Sequence, residues 1–183
     1  MSACDFALFG TPIGTCAIAW NGRGIAGLQL PEASPAATRA RVKRRWPGAV
    51  EADSVPAGVQ RALDRVQALL AGEALDLADI PLDLDAAPEF HRRVYAVART
   101  IPPGRTMTYG EIARRLGAPH ESRAVGQALG RNPVAIIVPC HRVLGADGRM
   151  GGFSANGGVS TKRRMLEIEG APEVGAGPLF GTR

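Results

Sequence analysis

The sequence predicts a small α/β domain, an antiparallel sheet covered by helices, followed by a mainly α-helical domain with a helix-turn-helix of the winged-helix type. Three observations favour this arrangement. An Asn-Gly hairpin signal at 21–22 lies between two β-type segments, helical periodicity dominates after residue 88, and a proline-bounded acidic stretch at 80–88 separates the two parts. We therefore expect one domain at 1–84, a second at 88–170 and a flexible tail at 171–183.

The first part is predicted to contain two strands and two helices. Asn and Gly tolerate positive φ, so the segments at 15–20 and 24–30 are expected to pair as a hairpin. A basic stretch at 35–46 is typical of a helix. A second helix is predicted between Pro56 and Gly72, because apolar residues recur there at helical spacing: Val59, Leu63, Val66 and Leu70.

The second part begins with helices. An apolar face at 90–101 predicts a helix that stops at a Pro-Pro-Gly sequence, since proline cannot continue the hydrogen-bond ladder. Thr108 and Glu111 fit a capping box that opens a short helix, and a glycine turn separates it from a second short helix at 121–129. Two short helices around a turn indicate a helix-turn-helix.

A buried segment follows the second short helix. The apolar run at 134–138 has the length of a strand and leads directly to Pro-Cys-His-Arg-Val at 139–143. Beyond it we expect a glycine-rich loop at 151–158 and a last helix that is capped by Ser160 and ends at Gly170.

The composition is that of a globular protein. The 183 residues are 45% apolar and 21% charged, which is enough apolar material for a core. No apolar run approaches the ~18 to 20 residues that cross a bilayer. The first residues lack a basic region followed by an apolar one. We expect a cytoplasmic protein without a membrane segment.

The charge is unevenly distributed. Residues 1–87 contain 8 Lys and Arg against 10 Asp and Glu, whereas residues 88–183 contain 14 against 7. A basic half favours a phosphate-bearing partner. The alternative is a general preference for arginine, because only Lys43 and Lys162 among the 22 basic residues are lysines.

Three cysteines, Cys4, Cys16 and Cys140, are too few for a disulfide framework. Zinc normally takes four ligands and no histidine precedes His91, so we expect no metal.

Cys140 is a candidate nucleophile because His141 follows it and the thiolate is the reactive form. His141 would act either by direct contact or through a water molecule. The alternative is that Cys140 is a small buried apolar residue.

Four motifs in fixed order carry a resemblance to a known family. They are Thr-Tyr-Gly-Glu-Ile-Ala at 108–113, Arg-Ala-Val-Gly at 123–126, Asn-Pro at 132–133 and Pro-Cys-His-Arg-Val at 139–143. Over residues 88–170 the chain resembles the 6-O-alkylguanine-DNA alkyltransferases, whereas the first part is similar to that family in length and outline only. The resemblance implies direct-reversal DNA repair: the alkyl group of 6-O-alkylguanine moves irreversibly onto Cys140, once per molecule and without a cofactor.

The resemblance also implies roles for several residues near Cys140. His141 activates the thiol through water, and a carboxylate orients the histidine. Glu169 matches that carboxylate, although Glu167 stays an alternative. Asn132 orients the backbone of the site, and the hydroxyl of Tyr109 donates to the damaged base. Ser154 and the carbonyl of Val143 match the residues that form the remaining contacts with the edge of the base.

DNA binding is implied for the second short helix. Arg123 matches the residue that enters the duplex when the damaged nucleotide is flipped out. Small residues on the same helix allow close approach to the minor groove without reading sequence: Ser122, Ala124 and Gly126. We expect a monomer on double-stranded DNA, alone or as several copies.

Two other classes of protein are alternatives to an alkyltransferase. An alkyltransferase-like protein binds damaged DNA without repair, but such proteins lack the acceptor cysteine. A Cys-His hydrolase would need a second motif, which the chain does not supply. The loop at 155–161 is longer than in human-type family members, which affects the contacts around Ser154.

Overall fold

A four-stranded sheet forms the first part of the protein, which the computed structural model describes over residues 4–172. Its spatial order is β3-β2-β1-β4, and the strands are β1 (Asp5–Thr11), β2 (Gly14–Asn21), β3 (Gly24–Gln29) and β4 (Val50–Glu51). The predicted hairpin is confirmed as β2 and β3. The prediction of a purely antiparallel sheet is wrong, because β4 returns after a helix and pairs parallel with β1.

Two helices cover the two faces of this sheet. Helix α1 (Pro35–Arg45) begins at Ser34, whose hydroxyl accepts a hydrogen bond from the backbone of Ala37. It packs on the face that presents Phe6, Ala17 and Ala19. Helix α2 (Ala57–Leu70) packs on the other face with the alternate strand residues, among them Ala7, Cys16 and Ile18.

The second part consists mainly of helices. They are α3 (Glu89–Ala98), α4 (Tyr109–Arg115), α5 (Ser122–Gly130) and α6 (Val159–Ile168), with the short parallel pair β5 (Met107–Thr108) and β6 (Val143–Leu144). The predicted capping box of Thr108 and Glu111 is present at α4. The two parts share one main core, and the backbone of Leu28 in β3 donates to the carbonyl of Pro133.

Residues 134–138 are buried, as expected, but they do not form a strand. They make a tight turn in which Val138 donates to the carbonyl of Val134 and Ile136 has a φ of 73°. The left-handed region costs a non-glycine residue about 1–2 kcal/mol. The side-chain amide of Asn132 forms hydrogen bonds with the backbone at both ends of the turn, at Val134 and at Val138.

The last helix also differs from its predicted start. Helix α6 begins at Val159 after Gly158, and the hydroxyl of Ser160 donates to the carbonyl of Gly157. Ser160 is therefore not the cap. Ala171, the first residue of the predicted tail, is buried. The rest of that tail, from residue 173, lies outside the described residues.

No helix within residues 4–172 is long and apolar enough to cross a membrane.

Candidate active site

Cys140 begins a short 3-10 helix, Cys140–Arg142, directly after the buried turn. Asn132 holds that turn in place: its amide nitrogen donates to the carbonyl of Val138 at 2.8 Å, and its amide oxygen accepts from the backbone of Val134 at 2.9 Å. Cys140 is half-buried, whereas Asn132 is buried. The side chain of Asn132 thus fixes the backbone that carries the cysteine.

The thiol of Cys140 lies in surroundings that oppose its ionisation. Burial raises its pKa above the usual value, although a hydrogen bond with Asn132, the charge of Lys162 and nearby backbone amides lower it in part. Cys140 is therefore a thiol at neutral pH. A base within reach is needed to produce the nucleophilic thiolate.

His141 is buried and bound to a carboxylate. Its Nε2 lies 2.9 Å from Glu169 Oε1. Arg142 binds the same carboxylate with two hydrogen bonds of 2.8 Å and donates to the carbonyl of Ile101 at 2.6 Å. The side chains of His141, Arg142 and Glu169 are 1%, 4% and 3% exposed, so the three form a buried charged cluster.

The protonation states of this cluster follow from its contacts. Burial alone would raise the pKa of Glu169, but the hydrogen bonds and charges of His141 and Arg142 outweigh burial and lower it to about 2. Burial lowers the pKa of His141, against the effect of Glu169. A neutral His141 whose Nε2 donates to an ionised Glu169 keeps a lone pair on Nδ1. Within residues 4–172, Nδ1 has no hydrogen-bond partner.

Lys162 is a second buried cation near the cysteine. Its Nζ donates to the carbonyl of Val143 at 2.6 Å and lies 5.8 Å from the centre of the Tyr109 ring. Burial lowers the pKa of Lys162, whereas Cys140 raises it. Sequence reasoning missed this residue, although its spacing from Met165, Leu166 and Glu169 puts all four on one helix face.

A small cavity of about 40 Å³ brings Cys140, Tyr109, Lys162 and Ser154 together. The hydroxyl of Ser154 points to the carbonyl of Gly130 at 3.4 Å. The phenol of Tyr109 forms no hydrogen bond with a residue of the described range. A Cβ on Gly151 would lie 3.1 Å from the Tyr109 hydroxyl, so a glycine there leaves space beside the phenol.

An open groove of about 960 Å³ leads from this cavity across α4 and α5. Tyr109, Ser122, Arg123 and Gly126 line it, and Ala124 lies half-buried on the same helix. Arg123 is exposed and has no ion pair or hydrogen bond with residues 4–172. The groove thus connects an unpaired cation with the cavity at Cys140.

Two further contacts were not predicted from the sequence. Arg142, read only as a neighbour of Cys140, is the main partner of Glu169. Arg45, at the end of α1, donates to the backbone carbonyl of Asn132 at 2.5 Å. In the part of the chain that the structure describes, no three His, Cys, Asp or Glu residues cluster as metal ligands would.

The fold and the site define a class: a protein in which a half-buried cysteine adjoins a buried histidine-carboxylate pair and a groove between two short helices. The family model described as 6-O-methylguanine DNA methyltransferase, DNA binding domain, matches residues 89–171. Methylated-DNA–protein-cysteine methyltransferases of Mycobacterium tuberculosis and Methanosarcina acetivorans are 41% and 37% identical to the chain. The alignments cover 87% and 91% of this chain, and 88% and 98% of those relatives. The chain belongs to the methylated-DNA–protein-cysteine methyltransferase family.

Solved structures are similar over most of the chain. Mycobacterium tuberculosis OGT in complex with DNA matches with a TM-score of 0.73 and 36% identity, covering 93% of this chain and 97% of that one. The O6-methylguanine-DNA methyltransferase of Pyrococcus kodakaraensis matches with a TM-score of 0.69 and 25% identity, covering 91% and 99%. The similarity therefore includes both the sheet and the helical part.

Proposed function

We propose that this protein repairs DNA by transferring the alkyl group of 6-O-alkylguanine to Cys140. The observation that carries the proposal is the 2.9 Å contact of His141 Nε2 with the Glu169 carboxylate, at the residue next to the half-buried Cys140. Family membership supports the same reaction, and the names of the relatives state it for those proteins. Each molecule reacts once, because water does not readily cleave the thioether that forms.

The reaction begins with a proton transfer. His141 Nδ1 accepts the proton of Cys140 through a water molecule, and Glu169 stabilises the imidazolium that results. The thiolate attacks the alkyl carbon, so that a carbon-sulfur bond forms and the carbon-oxygen bond breaks. The electron pair leaves with guanine, which takes up the proton that His141 received. No cofactor enters this balance.

Three groups are assigned to the departing base. The hydroxyl of Tyr109 donates a hydrogen bond that offsets the charge developing on guanine. Ser154 and the carbonyl of Val143 hold the edge of the base. That carbonyl already accepts from Lys162, but a carbonyl oxygen has two lone pairs and can accept a second donor.

The groove across α4 and α5 is the proposed DNA site, with the two helices acting as a helix-turn-helix. The damaged nucleotide must leave the duplex to reach Cys140, at a cost of a few kcal/mol. Arg123 fills the place it vacates. Small side chains allow close contact with the minor groove and read no sequence: Ser122, Ala124 and Gly126. The protein acts as a monomer, and several copies can follow one another along DNA.

A mass spectrum after reaction tests the chemistry. Incubation with duplex DNA carrying 6-O-methylguanine should add one methyl mass to the peptide that contains Cys140, and Cys140→Ser should abolish the gain. Damaged DNA that is bound while the peptide stays unmodified would instead identify an alkyltransferase-like binding protein.

Comparing two substrates tests the role of Arg123. The Arg123→Ala variant should slow repair in duplex DNA more than reaction with free benzylguanine, because only the duplex requires flipping. Arg163→Ala, which removes an exposed arginine on α6, is the matched control. Equal losses on both substrates would contradict the flipping role.

A further inference from the structure

A second cation, Arg114 of α4, lies on the wall of the groove that the proposed function assigns to DNA. It lines this groove together with Arg123 of α5. Arg114 is exposed and forms no ion pair or hydrogen bond with residues 4–172. The proposed steps of flipping and alkyl transfer use Arg123 and leave Arg114 without a role.

The side chain of Arg114 points back along α4 into the groove. A Cβ added at Gly110 would lie 3.7 Å from Nη1 of Arg114, so the guanidinium lies over the first turn of the helix. Gly110 also lines the groove. The guanidinium is therefore held beside the turn that carries Tyr109, the residue assigned to the damaged base.

The other arginines around the end of α4 have partners outside the groove. A basic residue in the last turn of a helix can bind the last carbonyl groups. Here Arg93 of α3 does so, because it donates to the carbonyl of Leu116 at 3.0 Å. Arg115 turns away from the groove, since its Nη1 donates to the hydroxyl of Thr100 at 3.5 Å. Arg114 is thus the arginine of α4 that is directed into the groove.

The charges along the groove favour an anion. The acidic side chain among its lining residues is Glu111, whose carboxylate accepts from the backbone and the hydroxyl of Thr108 at 2.6 and 2.8 Å. These hydrogen bonds lower the pKa of Glu111, and the charges of Arg114 and Arg115 add to the effect. Glu111 is therefore ionised and engaged in the helix cap. Two guanidinium groups in the same groove exceed this single negative charge, so the groove attracts an anion.

We propose that Arg114 binds a phosphate of the DNA backbone beside the flipped nucleotide. A guanidinium matches a phosphodiester well, because its N–H groups can donate to both non-bridging oxygens. The first helix of a helix-turn-helix crosses the backbone, which is the position of α4. The proposal rests on the proposed binding of DNA across α4 and α5. It divides the contacts between two arginines: Arg114 binds the backbone, and Arg123 fills the place of the flipped base.

The salt dependence of DNA binding tests this assignment. Each phosphate contact releases counterions and adds about 0.9 to the slope of log Kd against log salt concentration. Arg114→Gln should therefore lower this slope by about 0.9 between about 50 and 200 mM salt. Binding is measured by fluorescence anisotropy in a Cys140→Ser background, so that no alkyl group is transferred during the titration.

Two duplexes of one sequence, with and without 6-O-methylguanine, separate a backbone contact from a base contact. Arg114→Gln should weaken binding roughly 2- to 5-fold for both duplexes, because a phosphate contact carries no information about the base. Arg114→Lys should restore most of the slope, since lysine also binds phosphate. A loss confined to the damaged duplex would overturn the proposal by assigning Arg114 to the base.

Arg115→Gln is the matched control, because it removes the same charge from the next residue of the helix. Its slope should equal that of the Cys140→Ser parent. Equal slopes in the parent and Arg114→Gln would overturn the proposal, and so would an equal fall in Arg115→Gln, which would assign the effect to net charge. A slower reaction of Arg114→Gln with free benzylguanine, which has no phosphate, would overturn it as well. Absence of methyl transfer from duplex DNA to Cys140 in the wild type would instead refute the proposed function itself.

Discussion

Glu169→Gln is the substitution that examines the buried cluster most directly. It keeps the size of the side chain but removes the charge that Arg142 binds at 2.8 Å and His141 at 2.9 Å. Removing one charged partner of a buried ion pair lowers the free energy of unfolding by about 3–5 kcal/mol. The pKa of Glu169 gives a similar figure, because lowering it from an ordinary value near 4.3 to about 2 corresponds to about 3 kcal/mol.

Two measurements follow from this magnitude. Urea unfolding should show a loss of about 3 kcal/mol in the free energy of unfolding. The single-turnover rate of methyl transfer, measured where the variant is still folded, should fall by about 100-fold or more, because His141 loses the group that fixes its tautomer.

The matched control is Glu167→Gln. Glu167 is exposed two residues earlier, so its replacement should change stability by less than about 0.5 kcal/mol and leave the rate unchanged. A normal rate in Glu169→Gln, or an equal loss in Glu167→Gln, would refute the assignment of the orienting carboxylate.

Three further predictions concern the same surroundings. The pKa of Glu169 is lowered on folding, so its stabilisation is complete above about pH 4.3 and lost as the pH falls towards 2. Other carboxyls, such as those of Asp79 and Asp83, also have lowered pKa values, so the urea midpoint should fall more steeply across that window in wild type than in Glu169→Gln. Lys162→Met should raise the pKa of the Cys140 thiol, because a nearby positive charge is removed. The pH profile of alkylation by iodoacetamide measures this pKa. An unchanged profile would contradict an electrostatic effect of Lys162 on the thiol. Gly104→Ala should destabilise the fold by about 1–3 kcal/mol beyond Gly117→Ala. Both glycines have a φ of 73°, but only at Gly104 would an added Cβ lie close to another atom, 2.8 Å from the backbone carbonyl oxygen of Glu169. Equal urea midpoints of the two variants would show that this close contact does not destabilise the fold.

Local signals predicted most of the elements. The hairpin at 21–22, the capping box of Thr108 and the periodic face of α2 depend on residues a few positions apart, and all three are present. Strand β1 was missed. Both of its faces are covered, by α1 on one side and α2 on the other, so apolar residues such as Phe6 and Ala7 follow one another without the polar alternation that marks a strand.

The turn at 134–138 shows where a local pattern misleads. An apolar run of this length favours a strand by propensity. Here the side chain of Asn132 supplies the hydrogen bonds at both ends of the run, and packing holds Ile136 in a left-handed conformation. Tertiary contacts therefore override propensity, and only the structure shows the geometry that presents Cys140.

The sequence motif identified Cys140 and His141, but it left the carboxylate open between Glu167 and Glu169. Helix geometry separates the two. Glu169 continues the buried face of Lys162 and Met165, whereas Glu167 lies on the exposed side of α6. Resolving the choice needs the helix register, which the predicted cap at Ser160 did not supply.

The role of the first part of the chain changes once α1 is considered by itself. Residues 1–87 are acidic in total, and the charge count assigned the phosphate-bearing partner to the basic second part alone. Yet α1 contains five basic residues and no acidic one, and its end reaches the carbonyl of Asn132 beside Cys140. The potential at a site depends on the nearest unscreened charges, since exposed charges beyond about 10 Å are largely screened. The net charge of residues 1–87 therefore conceals a positive helix, whose Arg41 and Arg45 line a cavity of about 160 Å³ together with Cys140.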